Sequence, residues 1–369
     1  MKRIPLVDLS RQHRWIATEL NTSLGQLFEN ADYILGDAVG IFERRFAAFG
    51  GIEHCVSVAT GTDAIELSLR AYGIGPGDEV ILPTNTFIAT ALACARIGAI
   101  PVLADVDDVF GLLDPEDVKH RMTQSTKAII AVHLYGQMAP MHGLRELTTG
   151  TGVVLLEDAA QAHGATQDSC GPGTMSGAAT YSFYPSKNLG AYGDGGAVVT
   201  TSADLAARLR ALRNYGGESR NEHWELGFNS RLDTLQAHVL LAKLRHLAEW
   251  NQQRSRAAKA YDELLADVPG ARRPEVALGN DHVWHLYVVR VPDRDTVLRG
   301  LIDRGVGGGI HYPSPIHMIP AFSFLKHTLG DFPVSERLAA EILSLPLFPG
   351  ITIEEQRYVV ASLREAMRI

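Results

Sequence analysis

The chain has 369 residues, 46% of them hydrophobic and 21% charged, with a formal net charge of −8. That length supports a large core and more than one domain, and the acidic balance argues against a general nucleic-acid binder, which needs a basic face. Three scattered cysteines, Cys55, Cys94 and Cys170, form no CxxC pair, which argues against a disulfide framework or thiolate metal site and for a reducing cytoplasm.

In chain order, the opening "MKRIPLVDLSRQHRW" has two basic residues but no apolar stretch of signal-peptide length. No apolar run approaches the length that spans a bilayer. Residues 12–50 read as mostly helical, broken near "ADYILGDAV". A short β-like run then ends at Thr60-Gly61-Thr62, ahead of an amphipathic helix. "DEVILP" (78–83) and "IPVLADVD" (100–107) read as strands around the helix "FIATALACARIG" (87–98). "KAIIAVHLYG" (127–136), "GVVLLEDAA" (152–160) and "GGAVVT" (195–200) are further strands, and 202–216 is helical. Near-continuous apolar strands alternating with helices predict a mostly parallel sheet covered on both faces. Residues 232–268 form one long helical pattern or two joined helices, with a domain boundary in its middle. This divides the chain into a large domain, 1–247, and a small α+β domain, 248–369. The latter holds a strand at 283–291, a helix at 295–305, the loop "IHYPSPIHMIP" (310–320) and a terminal helix at 352–368.

Four stretches carry candidate chemistry. In "SVATGTDAIELSLRAYG", Thr60 and Asp63 have capping-box spacing, and glycine at a helix start gives a ready anion site. An ordinary capped helix accounts for the same residues. In "GVVLLEDAAQAHGA" a buried strand ends at Glu157-Asp158, where ligands of parallel α/β sheets sit. A carboxylate there can pair with a cationic ring nitrogen, or merely cap a helix or form a salt bridge. Phe87 follows a strand end and suits either stacking on a flat ring or the core. In "YSFYPSKNLGAYGDGGAVVT", Ser182 can add a hydroxyl to an anion site. Lys187 sits before Gly190, Gly193, Gly195 and Gly196, a setting for a lysine in a crevice rather than on the surface. Such a lysine becomes a nucleophile once desolvation lowers its pKa. Together these parts match the phosphate, pyridinium, ring face and aldehyde of pyridoxal 5′-phosphate.

The chain resembles the DegT–DnrJ–StrS family of sugar aminotransferases nearly end to end. The likeness is carried by "YILGDAVGIFERRFAAF", "GTDAIELSLRAYGIGPGDEVILPTNTFIATA", "LLEDAAQAHGA", "SFYPSKNLGAYGDGGAVVT", "GFNSRLDTLQAHVL" and "HYPSPIH". The resemblance implies the α/β type I aminotransferase fold, with pyridoxal 5′-phosphate bound covalently by Lys187. It implies that Asp158 pairs with the pyridine nitrogen, Phe87 stacks on the ring and Gln161 bonds the ring hydroxyl. Gly61, Thr62 and Ser182 would take the phosphate, joined by Asn229 from the partner subunit of a homodimer. His311, Tyr312 and His317 would contact substrate, or belong to a Pro-rigid loop packed on the large domain. Thr60 stands where relatives often carry Asn or Ser.

The implied reaction moves an amino group from L-glutamate to C3 or C4 of a dTDP- or UDP-linked keto-deoxysugar, for aminosugar or antibiotic biosynthesis. A sugar dehydratase of the same family would carry histidine in place of Lys187. A regulatory protein keeping the fold without turnover is a second alternative. A Schiff-base aldolase without cofactor would not need Thr62, Ser182 and Asp158.

Overall fold

Seven strands form the central sheet: β1 (His54–Val58), β2 (Glu79–Pro83), β3 (Ile100–Ala104), β4 (Thr126–Val132), β5 (Val154–Asp158), β6 (Ala178–Ser182) and β7 (Gly196–Thr200). In this computed structural model, which describes residues 3–217 and 221–368, they lie in the order β1-β7-β6-β5-β4-β2-β3. Strand β7 runs antiparallel to both its neighbours, and every other pair is parallel. In β4, "TKAIIAV", Lys127 alone is exposed. Neighbouring side chains on a strand point to opposite faces. Ile129 accordingly packs with Phe42, Phe46 and Leu240, while Ile130 packs with Ile65, Leu67 and Leu209. Both faces are covered, which is why the parallel strands read as unbroken apolar runs.

The expected strand over 127–136 stops at Val132, because Tyr135 takes a left-handed backbone (φ 61°) and turns the chain. The long pattern over 232–268 is two helices, Thr234–Leu244 and Leu247–Leu264. Short helices at Pro115–Arg121, Met141–Thr148 and Pro333–Glu341 add to those read from periodicity.

Beyond residue 280, β8 (Tyr287–Arg290) pairs antiparallel with β9 (Ile342–Leu345). Helices Leu247–Leu264, Arg294–Asp303 and Ile353–Ala366 contribute to an apolar cluster containing Tyr261, Tyr287, Leu301, Phe348 and Leu363. The N-terminal segment joins this cluster. Ile4 is buried in it and forms a parallel bridge with Val306. Its N–H donates to Gly305 O at 2.9 Å, and its carbonyl accepts from Gly307 at 2.7 Å. Arg11 then pairs with Glu355 of the last helix at 2.6 Å.

Among the described residues no helix is long and apolar enough to cross a membrane. The three cysteines are unpaired.

Candidate active site

A cavity of about 510 Å³ opens at the carboxyl ends of the parallel strands, the usual ligand position in such sheets. Gly61, Thr62, Phe87, Asp158, Gln161, Ser182, Lys187, His311 and Tyr312 all line it.

One wall is the start of helix Gly61–Ala71. Thr60 caps it, its Oγ1 accepting from the Asp63 N–H at 3.0 Å. The cap and the anion site are therefore not alternatives, since a helix leaves several initial N–H groups without internal partners. A Cβ on Gly61 would stand 2.6 Å from Ser182 Cβ and 3.0 Å from its Cα. Only glycine lets the helix start lie this close to the end of β6. The result is a concave set of N–H and hydroxyl groups fitted to an anion.

Asp158 closes β5. Its Oδ2 accepts from Thr90 Oγ1 at 2.8 Å, and its Oδ1 from the Ala160 N–H at 3.2 Å. Thr90 is in turn 2.9 Å from Thr86 Oγ1. Burial raises the Asp158 carboxyl above its ordinary value, while Thr90, Ala160 and the charge of Lys187 pull it down. A buried carboxylate so placed favours a cationic partner.

Lys187 lies in the 183–195 excursion between β6 and β7. Burial lowers its amine to about 8, with Asp158 acting the other way. The excursion is tightly folded. Lys187 N donates to Tyr184 O at 2.9 Å, and Ala191 N to Phe183 O at 2.7 Å. A Cβ on Gly190 would collide with the Pro185 carbonyl. From below, buried Lys243 of helix Thr234–Leu244 donates to Gly190 O at 2.6 Å and lies 4.4 Å from the Tyr192 ring centre. Two helical turns earlier, Gln236 Oε1 accepts from Tyr192 N at 2.8 Å.

Gln161 accepts at Oε1 from Tyr135 N at 2.6 Å and donates from Nε2 to Tyr312 OH at 3.0 Å. Tyr135 OH donates to His311 O at 2.5 Å. The Tyr312 ring centre lies 5.3 Å from that of half-exposed Phe87. His311 Nδ1 is 2.8 Å from Ser344 Oγ, and burial with the Lys187 charge lowers its imidazole to about 4.

Two expected residues lie elsewhere. Buried His317 does not line the cavity. It bridges Thr84 Oγ1 (3.0 Å) and Glu336 Oε1 (2.9 Å) and packs on Phe332, so both its ring nitrogens are engaged in the fold. Asn229 is exposed outside the cavity, its Oδ1 accepting from Arg231 at 2.6 Å. Thr90, Tyr135 and His285 join the site without having been singled out. Thr90, one turn beyond Phe87 in "TNTFIATA", carries a weak signal. The other two are placed only by tertiary folding.

A ligand with an anionic group, a cationic ring nitrogen, a flat face and an amine-reactive carbon uses all of these groups, and pyridoxal 5′-phosphate has each feature. Fold and site define a pyridoxal 5′-phosphate enzyme of the type I aminotransferase class. The chain belongs to the DegT/DnrJ/EryC1/StrS aminotransferase family, whose model matches residues 15–364. It is 46% identical over 361 residues to the erythromycin biosynthesis sensory transduction protein EryC1 of Saccharopolyspora erythraea, covering 98% of this chain and 99% of the relative. It is 43% identical to the dTDP-3-amino-3,4,6-trideoxy-alpha-D-glucose transaminase of Streptomyces venezuelae, with 98% and 96% covered. The crystal structure of S. venezuelae DesV in complex with a ketimine intermediate has a TM-score of 0.97 and 42% identity, with both chains fully covered.

Proposed function

We propose that this aminotransferase moves the amino group of L-glutamate to C3 of a nucleotide-linked keto-deoxysugar, dTDP-linked in preference to UDP-linked. The observation that carries the reading is the pairing, in one cavity, of a lysine amine lowered to about 8 with a buried carboxylate at a strand end. The preference for C3 and dTDP rests on the likeness to the S. venezuelae transaminase. Bound here, the cofactor supplies an electron sink for a carbanion at the substrate carbon.

The chain's own groups do the rest. Gly61, Thr62 and Ser182 would hold the phosphate, and Phe87 would lie against the ring. Gln161 orients the ring hydroxyl, with its own amide fixed by Tyr135 and Tyr312. Asp158, held by Thr90, keeps a proton on the ring nitrogen. Lys187 would be the base that carries a proton to and from the substrate carbon; its lowered pKa keeps a useful neutral fraction near neutral pH. His311 and Tyr312 face the sugar. Asn229, exposed on its own subunit, completes the phosphate site of a second copy in a homodimer. Release of 2-oxoglutarate completes the first half-reaction, and the sugar receives the amine in the second.

A regulatory reading is favoured by one observation, the sensory-transduction name of the EryC1 relative. It leaves unexplained why Lys187, Asp158 and the anion cradle are all retained.

The test is an assay with L-glutamate of 3-keto and 4-keto sugars on both nucleotides, the aminated carbon being read by NMR. Amination at C3 of the dTDP sugar is expected. Amination at C4 overturns the regiochemistry. A cofactor absorbance band unchanged by glutamate overturns the enzyme reading.

A further inference from the structure

Asn188, next in the chain to Lys187, is buried and has its side-chain donors and acceptor in use. Its amide nitrogen donates to Val283 O and to Asn251 Oδ1, both at 2.9 Å. A backbone carbonyl only accepts, so the atom facing Val283 is Nδ2 and Oδ1 faces His285. His285 Nδ1 lies 3.1 Å from that oxygen and therefore carries a proton. Asn251 is oriented by the same logic. Its Nδ2 donates to His163 O at 2.8 Å, which leaves its Oδ1 for Asn188. Two backbone carbonyls thus set the polarity of the whole chain of bonds.

Burial, reinforced by the charges of Lys187 and Arg254, holds the His285 imidazole neutral, well below its ordinary pKa. With Nδ1 protonated, Nε2 is the bare nitrogen. His285 lines the same cavity as Lys187. The bonds join four parts of the chain: the Lys187 excursion, helix Leu247–Leu264, the segment after Asp158 and Gln161, and the approach to β8.

We propose that His285 is a positioning residue for Lys187, acting through Asn188. Its Nδ1–H pins the amide beside Lys187 to the C-terminal part of the chain, so that the amine stays in the desolvated cavity with Asp158. Without that bond Asn188 keeps a buried acceptor unpaired, a costly state that loosens the turn. The amine then gains water, and its pKa returns toward the ordinary lysine value.

The test uses the full chain without cofactor, so its outcome does not depend on the nucleotide-sugar reading. Labelling of Lys187 by 2,4-dinitrofluorobenzene is followed against pH by peptide mass spectrometry. The parent midpoint is expected near 8. An asparagine amide nitrogen substitutes for histidine Nδ1, whereas a glutamine amide reaches the position of Nε2. His285→Gln, His285→Phe and Asn188→Ala should raise the midpoint by about one unit or more. His285→Asn should keep it near the parent value. The proposal is overturned if His285→Asn shifts as far as His285→Gln, or if His285→Gln and Asn188→Ala leave the midpoint in place. Should His285→Phe fail to fold, the Asn and Gln variants decide the matter alone.

Discussion

Gly61→Ala tests the cradle at its tightest point. The added methyl would meet Ser182 Cβ at 2.6 Å and Cα at 3.0 Å. Neither atom is the free end of a flexible side chain, so the helix start or the end of β6 must move. Overpacking of this kind costs about 1–3 kcal/mol. In a chain of this size that corresponds to a drop in Tm of roughly 1–4 °C. Displacing the helix N–H groups from an anion should also weaken cofactor binding about tenfold, equivalent to about 1.4 kcal/mol. Thermal denaturation of the cofactor-free chain gives the first number, and spectrophotometric cofactor titration the second. Ser182→Gly in the same chain removes the struck Cβ. The double variant should recover most of the lost Tm, because residues in contact are not additive. A Gly61→Ala chain with parental Tm and cofactor affinity would refute the close-approach argument, as would a double variant no more stable than the single.

Lys187→Ala should leave a folded chain with turnover reduced by at least 10²–10⁴-fold, the contribution of a positioned base alone; steady-state rates within tenfold of the parent would remove Lys187 from the mechanism. Asp158→Asn should lower the rate more than cofactor occupancy, since phosphate and ring contacts remain; a normal rate makes Asp158 a structural residue only. Lys187→Ala and Asn229→Asp homodimers should both be impaired, and subunit exchange should restore about half the parental activity per mixed dimer, since one of two symmetric sites is then intact; exchange verified by mass without recovered activity removes Asn229 from the partner's site. Lys243→Met removes a charge buried with no acidic side chain to pair it among the described residues. Burial lowers this amine to about 8, so the parent bears the penalty in full below pH 8 and loses it as pH rises toward the unfolded lysine value. The Tm of the variant minus that of the parent should therefore fall between pH 7 and pH 10. A difference independent of pH would mean that Lys243 is not a buried cation.

The large sheet was legible because each parallel strand is buried on both faces and reads as an apolar run, as "KAIIAV" does. Its end was not, since Tyr135 breaks the strand through its backbone angle rather than its residue type. The cavity residues came from strand ends and glycine-lined turns, where close approach shows in the sequence. His317 illustrates the opposite case. Its loop has the composition of a binding segment, yet Thr84 and Glu336, distant in the chain, take both nitrogens. Asn188 and His285 were hidden for a related reason. Apart from each other, their partners are the Val283 carbonyl and Asn251, itself held by the His163 carbonyl, and no spacing rule brings those together.

The seat of Ile4 against residues 305–307 has a consequence for synthesis on the ribosome. Ile4 leaves the ribosome about 300 residues ahead of its bonding partners, Gly305 and Gly307. At roughly 5–20 residues per second, they wait on the order of tens of seconds before Val306 is available. The central sheet can close during that interval, but the cluster around Tyr261 and Leu363 cannot, because it draws on Ile4 and on residues 257–363 together. A nascent chain stalled ahead of residue 305 should leave residues 4–7 open to protease while β1–β7 resist it.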